Sequence, residues 1–150
     1  VINSRLETIN TKLLFKDSYL RRKCIIISNG YYEWKNVENN KKPYFINLPV
    51  NELICFAGIW RNEIKKGNKL KVCNIITKSA NSKLSFIHNR MPFILSIPDS
   101  IKYLNDTTNT FSFSNRESNI EEDLDYYEIS KYVNNPSNDS KECINPIKLN

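Results

Sequence analysis

The sequence predicts an α+β domain, and three observations carry that reading. Short β-branched and aromatic runs outnumber helical stretches, giving five or more strands against two or three short helices. The strands follow one another without a helix between each pair, which argues against a βαβ alternation. Only three glycines are present, and neither a phosphate-cradling glycine loop nor a G-x-S-x-G elbow occurs. At 150 residues the chain is long enough to bury a core as one domain.

The elements follow in order. Residues 11–23 read as a short amphipathic helix, with Leu13, Leu14, Tyr19 and Leu20 near helical spacing and Arg21, Arg22 and Lys23 in the last turn, where cations suit the helix dipole. Cys24 to Ile27 is a buried strand, Asn29-Gly30 a tight turn, and Tyr31 to Lys35 a second strand carrying Glu33. A polar hairpin tip at 39–42 leads to strands over 43–48 and 53–60, with Gly58 marking a bulge or a close backbone approach. A basic loop over 64–68 precedes a strand at 71–77. Residues 80–85 form a turn of helix ahead of the run Phe86-Ile87-His88-Asn89-Arg90-Met91-Pro92, and 93–95 is a short strand. Ser96 caps a helix reaching Leu104, with Pro98 in its first turn. Residues 105–119 are a polar loop, 126–129 a last strand, and Asn134-Asn135-Pro136 ends it.

The net charge of +6 is unevenly spread: residues 1–90 hold 17 Lys and Arg against 6 acids, and residues 91–150 hold 5 against 10. A basic front half suits a polyanion such as nucleic acid, although charge alone fits a merely solubilising lysine-rich surface better. The acids at 121–125 are expected to be solvated and to face away from any such surface. No apolar run nears the ~20 residues needed to span a membrane, and no secretory signal is seen. Four cysteines without a C-x-x-C pair, beside a single histidine, argue against a zinc site. Cys24, Cys55 and Cys73 read as buried strand residues and Cys143 as partly exposed. The chain begins at Val1 and its only methionine is Met91, so an upstream part of the translation product is expected to be missing.

Two short runs carry candidate chemistry. His88 is titratable, Arg90 is a fixed cation and Pro92 stiffens the exit of their loop. In Tyr31-Tyr32-Glu33-Trp34 a carboxylate is flanked by three aromatics, a setting that withholds water and raises a carboxyl pKa toward the range useful for proton transfer. Alone, the two residues also fit a hydrogen-bonded loop histidine and an edge-strand charge. Tyr32 and Trp34 read as core aromatics in preference to base-stacking platforms.

Taken in order, several runs resemble one family. Val1-Ile2-Asn3-Ser4-Arg5-Leu6-Glu7-Thr8 is similar to its "INARxET" block. Arg22-Lys23-Cys24-Ile25 with Asn29-Gly30-Tyr31-Tyr32-Glu33-Trp34-Lys35 is similar to "RRCLIPADGFYEWK". Phe56-Ala57-Gly58-Ile59-Trp60 and Ile75-Ile76-Thr77-Lys78-Ser79-Ala80-Asn81 continue the series, Ile87-His88-Asn89-Arg90-Met91-Pro92 is similar to "IHDRMP", and Val133-Asn134 with Ile144-Asn145-Pro146 resembles its close. The blocks are those of the SRAP family, the SOS response-associated peptidases or abasic-site-processing proteins. The resemblance runs to about residue 147 and is weak near 105–125.

It implies a mixed, mostly antiparallel sheet curled toward a barrel with short flanking helices, one domain over 1–150 incomplete at its N-terminus. It also implies a DNA-damage protein that cross-links abasic sites in single-stranded DNA. Family members use a cysteine at the extreme N-terminus, freed by self-removal of Met, whose α-amine and thiol close a thiazolidine on the ring-opened sugar. By this resemblance Asn3, Glu33 and His88 are catalytic: Asn3 orients the reacting groups, Glu33 moves protons and His88 protonates the sugar oxygen. Arg5 and Arg90 grip phosphates. No metal or cofactor is implied. The expected partner is single-stranded DNA with abasic sites, the protein a monomer without membrane contact, in the cytoplasm at the nucleoid or in a nucleus according to source. The cysteine and the N-terminal third of the family pattern lie outside these residues, so enzymatic action by this chain alone stays open. A non-catalytic single-stranded DNA-binding module or an inactive fragment is the alternative. Asn89 stands where the family has Asp, which puts any orienting role of that position toward His88 in doubt.

Overall fold

A computed structural model describes residues 3–147. Nine strands form among them: β1 (Asn3–Arg5), β2 (Lys23–Ser28), β3 (Tyr31–Val37), β4 (Asn40–Asn47), β5 (Ile54–Lys65), β6 (Asn68–Ser79), β7 (Arg90–Pro92), β8 (Ile94–Leu95) and β9 (Asp125–Glu128). Two α-helices join them, α1 (Leu13–Arg21) and α2 (Ile97–Asn105). Strands β1, β6, β5 and β2 lie side by side in one sheet, to which β7 and β8 also belong; β3, β4 and β9 make a second. Every pairing in these sheets is antiparallel except β1 with β6, so the expected α+β class and mixed, mostly antiparallel sheet hold.

The layers follow from alternation along the strands. On β5 and β8, Ile54, Phe56 and Ile94 point toward the second sheet and pack with Ile46, Leu84, Ile87 and Met91. Their neighbours Ala57, Ile59 and Leu95 point the other way, onto a cluster with Phe15 and Tyr103 of the two helices. The large sheet is thus covered by helices on one face and by the small sheet on the other. The far face of the small sheet takes the tail: Tyr127 donates to the Ile144 carbonyl at 2.9 Å, and Trp34 Nε1 donates to Asn134 Oδ1 at 2.8 Å.

Strands β5 and β6 pair from Lys65 and Asn68 back to Gly58 and Ile75, then part. Into the gap runs the segment 90–95. Arg90 to Pro92 pairs with β6 and Ile94 to Leu95 with β5. Between them Phe93 N–H donates to the Ile76 carbonyl at 2.8 Å, and the Phe93 carbonyl accepts from Ala57 N–H at 2.9 Å. The loop holding His88 and Arg90 therefore ends in a wedge driven between two long strands.

Several expectations change. Asn29-Gly30 does not close a hairpin; it carries the chain from one sheet to the other. A Cβ on Gly30 would lie 2.2 Å from Phe45 Cζ and 2.8 Å from the Ile46 carbonyl oxygen, so the crossing needs glycine. Gly58 is a close approach, as expected: a Cβ there would meet Asn74 O at 3.0 Å. The basic loop at 64–68 is only a tight turn, with Lys66 and Gly67 at positive φ, so β5 and β6 run much longer than their apolar cores suggest. Ser96 caps α2 as expected, its hydroxyl accepting from Asp99 N–H. Cys73 is exposed and Cys143 buried, the reverse of the expectation. Glu121 is 1% exposed and not solvated.

Burial of Glu121 has a structural reason. Its carboxylate lies between Lys78 and Arg116 and accepts from Ile94 N–H at 3.3 Å, while its backbone carbonyl accepts from Asn81 Nδ2 at 3.3 Å. One residue from the weakly patterned stretch thereby ties down both ends of the 81–94 loop. Lys78 and Arg116 also stand over the Phe93 ring, at 5.0 and 4.7 Å.

Candidate functional site

Where the second sheet meets the wedge, a cleft of about 400 Å³ opens. Its polar lining is Asn3, Glu33, Thr77, His88 and Arg90, over an apolar floor that includes Tyr31, Phe56 and Met91. A neighbouring cleft of about 590 Å³ shares Glu33 and His88 and adds Trp34, Lys41, Asn134 and Pro136. The two residues that the sequence singles out for proton transfer thus meet, and both touch both clefts.

Each is set by its element. Glu33 sits on β3 opposite Tyr44 of β4, half-buried, with Oε1 accepting from Trp34 N–H at 3.1 Å. The three expected flanking rings do not share one face with Glu33, for a simple reason. Strand alternation sends Tyr32 and Trp34 to the tail side, where Tyr32 packs on Phe45; of the three, Tyr31 alone shares Glu33's face. Those two rings act as core and tail contacts, in line with the bland reading. Tyr32 nevertheless borders the first cleft and Trp34 the second.

His88 is held by its own loop. Arg90 N–H donates to His88 Nδ1 at 3.0 Å, and the Arg90 carbonyl oxygen lies 3.2 Å from the same nitrogen. A neutral ring that accepts at Nδ1 carries its proton on Nε2. A charged ring finds the carbonyl as acceptor for Nδ1–H, so either protonation state keeps a partner. The Asn89 side chain has no part in this; its backbone carbonyl accepts from Ala80 N–H. The orienting task doubted for position 89 falls to the backbone of Arg90.

Arg90 is committed to protein partners. Nη1 and Nη2 donate to the two Glu7 oxygens at 2.7 and 2.9 Å, and Nη2 donates to the Thr77 carbonyl at 2.8 Å. That fork holds the Glu7 carboxyl at about 2, well below its ordinary value; burial opposes the shift, and the charge of Arg5 adds a little to it. Asn3 lines the cleft from β1, where it is itself exposed. Arg5, two residues on, is exposed and is not among the lining residues, so the expected groove between Arg5 and Arg90 becomes a cleft with Arg90 inside and Arg5 at a distance along the strand.

Glu7 and Thr77 are the residues that sequence reasoning left without a role. Glu7 lay in a quoted block, and its charge next to Arg5 was the available signal. Tyr31 stands where the quoted family block has Phe; its hydroxyl is buried and has no hydrogen-bond partner among the described residues, and burial raises its pKa, with Glu33 and Glu121 adding to the effect. Of the cysteines, Cys24 is a poor nucleophile: burial, then the neighbouring Cys73, pushes its thiol up to about 11. Among the described residues no group of three or more His, Cys, Asp or Glu is placed to hold a metal ion, and no helix is long and apolar enough to cross a membrane.

An α+β fold whose wedge brings Glu33, His88 and Arg90 to one cleft defines a class of protein, and the chain belongs to it: the SRAP family, whose profile, described as SOS response associated peptidase, matches residues 1–136. Among curated relatives it is 34% identical over 148 residues to the abasic site processing protein YoqW of Bacillus subtilis, covering 96% of this chain and 66% of that protein. It is 31% identical over 170 residues to the abasic site processing protein HMCES of Gallus gallus, covering 98% of this chain and 50% of that one. A crystal structure of a protein from Bacteroides thetaiotaomicron superposes with a TM-score of 0.83 at 28% identity, covering 97% of this chain and 66% of that chain. The chain therefore spans two thirds or less of the length of these relatives.

Proposed function

We propose that this chain is the acid–base and phosphate-binding part of a protein that processes abasic sites in single-stranded DNA. Support comes from its family, from the names of its relatives, and above all from one observation: Glu33 and His88 line a single cleft together with Arg90. The ring-opened sugar of an abasic site presents an aldehyde. An N-terminal cysteine amine adds to that carbon, water leaves to give an imine, and the thiol closes on the same carbon. The product is a thiazolidine, with one water released overall. An α-amine with a pKa near ~8 is partly neutral at pH 7 and ready to attack, and ring closure gains from high effective molarity.

In this reading Glu33 takes the proton released by the attacking amine and returns one to the departing water. His88 presents Nε2–H to the sugar oxygen as the ring opens. Asn3, at the rim, orients the amine or the sugar. Arg90 receives a flanking phosphate and Arg5 a more distant one. The work is done at the nucleoid or in a nucleus, where the DNA is.

The test is a denaturing gel of protein mixed with an abasic single-stranded oligonucleotide. The 150-residue chain, which starts with Val1, is expected to give no shifted band. The same chain preceded by the family's cysteine-first segment is expected to give one. A stable band from the unmodified 150 residues would overturn the assignment and direct attention to Cys73, the exposed cysteine.

A further inference from the structure

Arg90 gives its fork to a carboxylate of its own chain. The Glu7 oxygens accept from Nη1 and Nη2 at 2.7 and 2.9 Å, the paired geometry with which a guanidinium takes a phosphate. Glu7 and a DNA phosphate therefore want the same two N–H groups.

The two partners are anchored very differently. The Arg90 side chain is 20% exposed, with Nη2 fixed on the Thr77 carbonyl and Nε buried. The Glu7 side chain is 50% exposed and stands on a short 3-10 turn, Leu6–Thr8, that follows β1. Glu7 can swing into water without disturbing the core, whereas the guanidinium stays in place. Arg5, two residues before Glu7 and exposed, adds a weaker attraction to the same carboxylate.

We propose that Glu7 is a built-in phosphate mimic: it occupies Arg90 until a phosphate of the bound strand takes its place, and so sets how tightly the cleft holds DNA. The proposal rests on the reading of the cleft as a nucleic-acid site. Because the exchange trades one anion for another, the gain from the phosphate at Arg90 is reduced by the worth of the pair that is broken. For a partly exposed ion pair that worth corresponds to about two- to fivefold in affinity.

Anisotropy titration of the full-length protein with a labelled, undamaged oligothymidylate strand at fixed moderate salt tests it. The variants are Glu7→Gln, Arg90→Ala, the double substitution, and Glu63→Gln as a control. Glu63 pairs with Arg61 away from the cleft, so its variant removes the same unit of charge elsewhere. The expected result is that Glu7→Gln binds about two- to fivefold tighter, that Arg90→Ala cancels this gain, and that Glu63→Gln gains less. Weaker binding by Glu7→Gln would overturn the proposal and make Glu7 a group that orients Arg90. A gain that survives Arg90→Ala, or is matched by Glu63→Gln, would reduce it to net charge. If Arg90→Ala itself leaves binding unchanged, the reading of the cleft fails first, and the mimic falls with it.

Discussion

Glu33 and His88, one on a strand of the small sheet and the other on a loop anchored in the large one, border the same two clefts. A group bound in either cleft is within the company of a carboxylate and an imidazole at once. The pairing depends on how the sheets face each other, since no local segment contains both residues.

Glu33→Gln in the cysteine-bearing protein should slow both formation and reversal of the abasic-site adduct, by about a hundredfold, because an amide keeps the shape but carries no proton. His88→Ala should slow the same steps to a different degree. Time courses on denaturing gels check this. A Glu33→Gln protein that cross-links and reverses at the normal rate would remove Glu33 from the chemistry.

Arg90→Ala should weaken binding to single-stranded DNA and flatten its salt dependence by about one phosphate contact, a slope change of roughly 0.7. Lys66→Ala, on the exposed β5–β6 turn, should change neither appreciably. Titrations at several salt concentrations measure both slopes. Equal effects from the two substitutions would mean that the basic charge acts as a diffuse field.

Acid should cost this fold a defined amount of stability. Asp106 is almost closed to solvent and bonds Lys23 Nζ at 2.7 Å. Burial pushes its carboxyl up, but the Lys23 hydrogen bond, the backbone N–H groups of Thr110 and Phe111 and the Lys23 charge together bring it down to about 2 from 3.8. With the folded value depressed, the stabilisation is complete above the unfolded value and is lost as pH falls from about 4 through about 2. It amounts to about 2 kcal/mol. Glu7 should contribute in the same direction but less, being half-exposed. Urea titrations across this pH range should show the loss, and Asp106→Asn should lack it while being less stable at neutral pH.

Glu121→Gln should destabilise by about 1–3 kcal/mol, since it removes the counter-charge shared by Lys78 and Arg116, whose side chains keep some access to water. Denaturant midpoints measure this. A loss below 1 kcal/mol would show that water compensates the two cations fully.

Much of the site was legible in the residues. The strand that carries Glu33 and the His88 loop with its proline are local signals, and ordered blocks of family resemblance supplied Asn3, Glu33, His88 and Arg90 as candidates. What sequence could not show is which side of a strand a neighbour takes once the sheets pack. That is why Tyr32 and Trp34 read as packed against Glu33, whereas their rings take the opposite side of β3 and reach the clefts only at their borders. Nor could it show that Glu7 returns to Arg90, because the contact spans most of the domain and exists only after β1 pairs with β6. Glu121 escaped for a related reason. It stands among acids that individually read as solvated, and only the third dimension supplies Lys78 and Arg116.

The wedge between β5 and β6 also fixes how this region breathes. The segment after His88 and Arg90 is a rung of the main ladder, with Phe93 bonded on one side to Ile76 and on the other to Ala57. Freeing it means unzipping two long strands, an opening that belongs to global unfolding more than to loop motion. Amide protons of Phe93 and Ala57 should therefore exchange with heavy water among the slowest in the molecule. A candidate reaction centre whose loop is stitched into the slowest-exchanging part of the structure keeps its alignment as long as the protein stays folded.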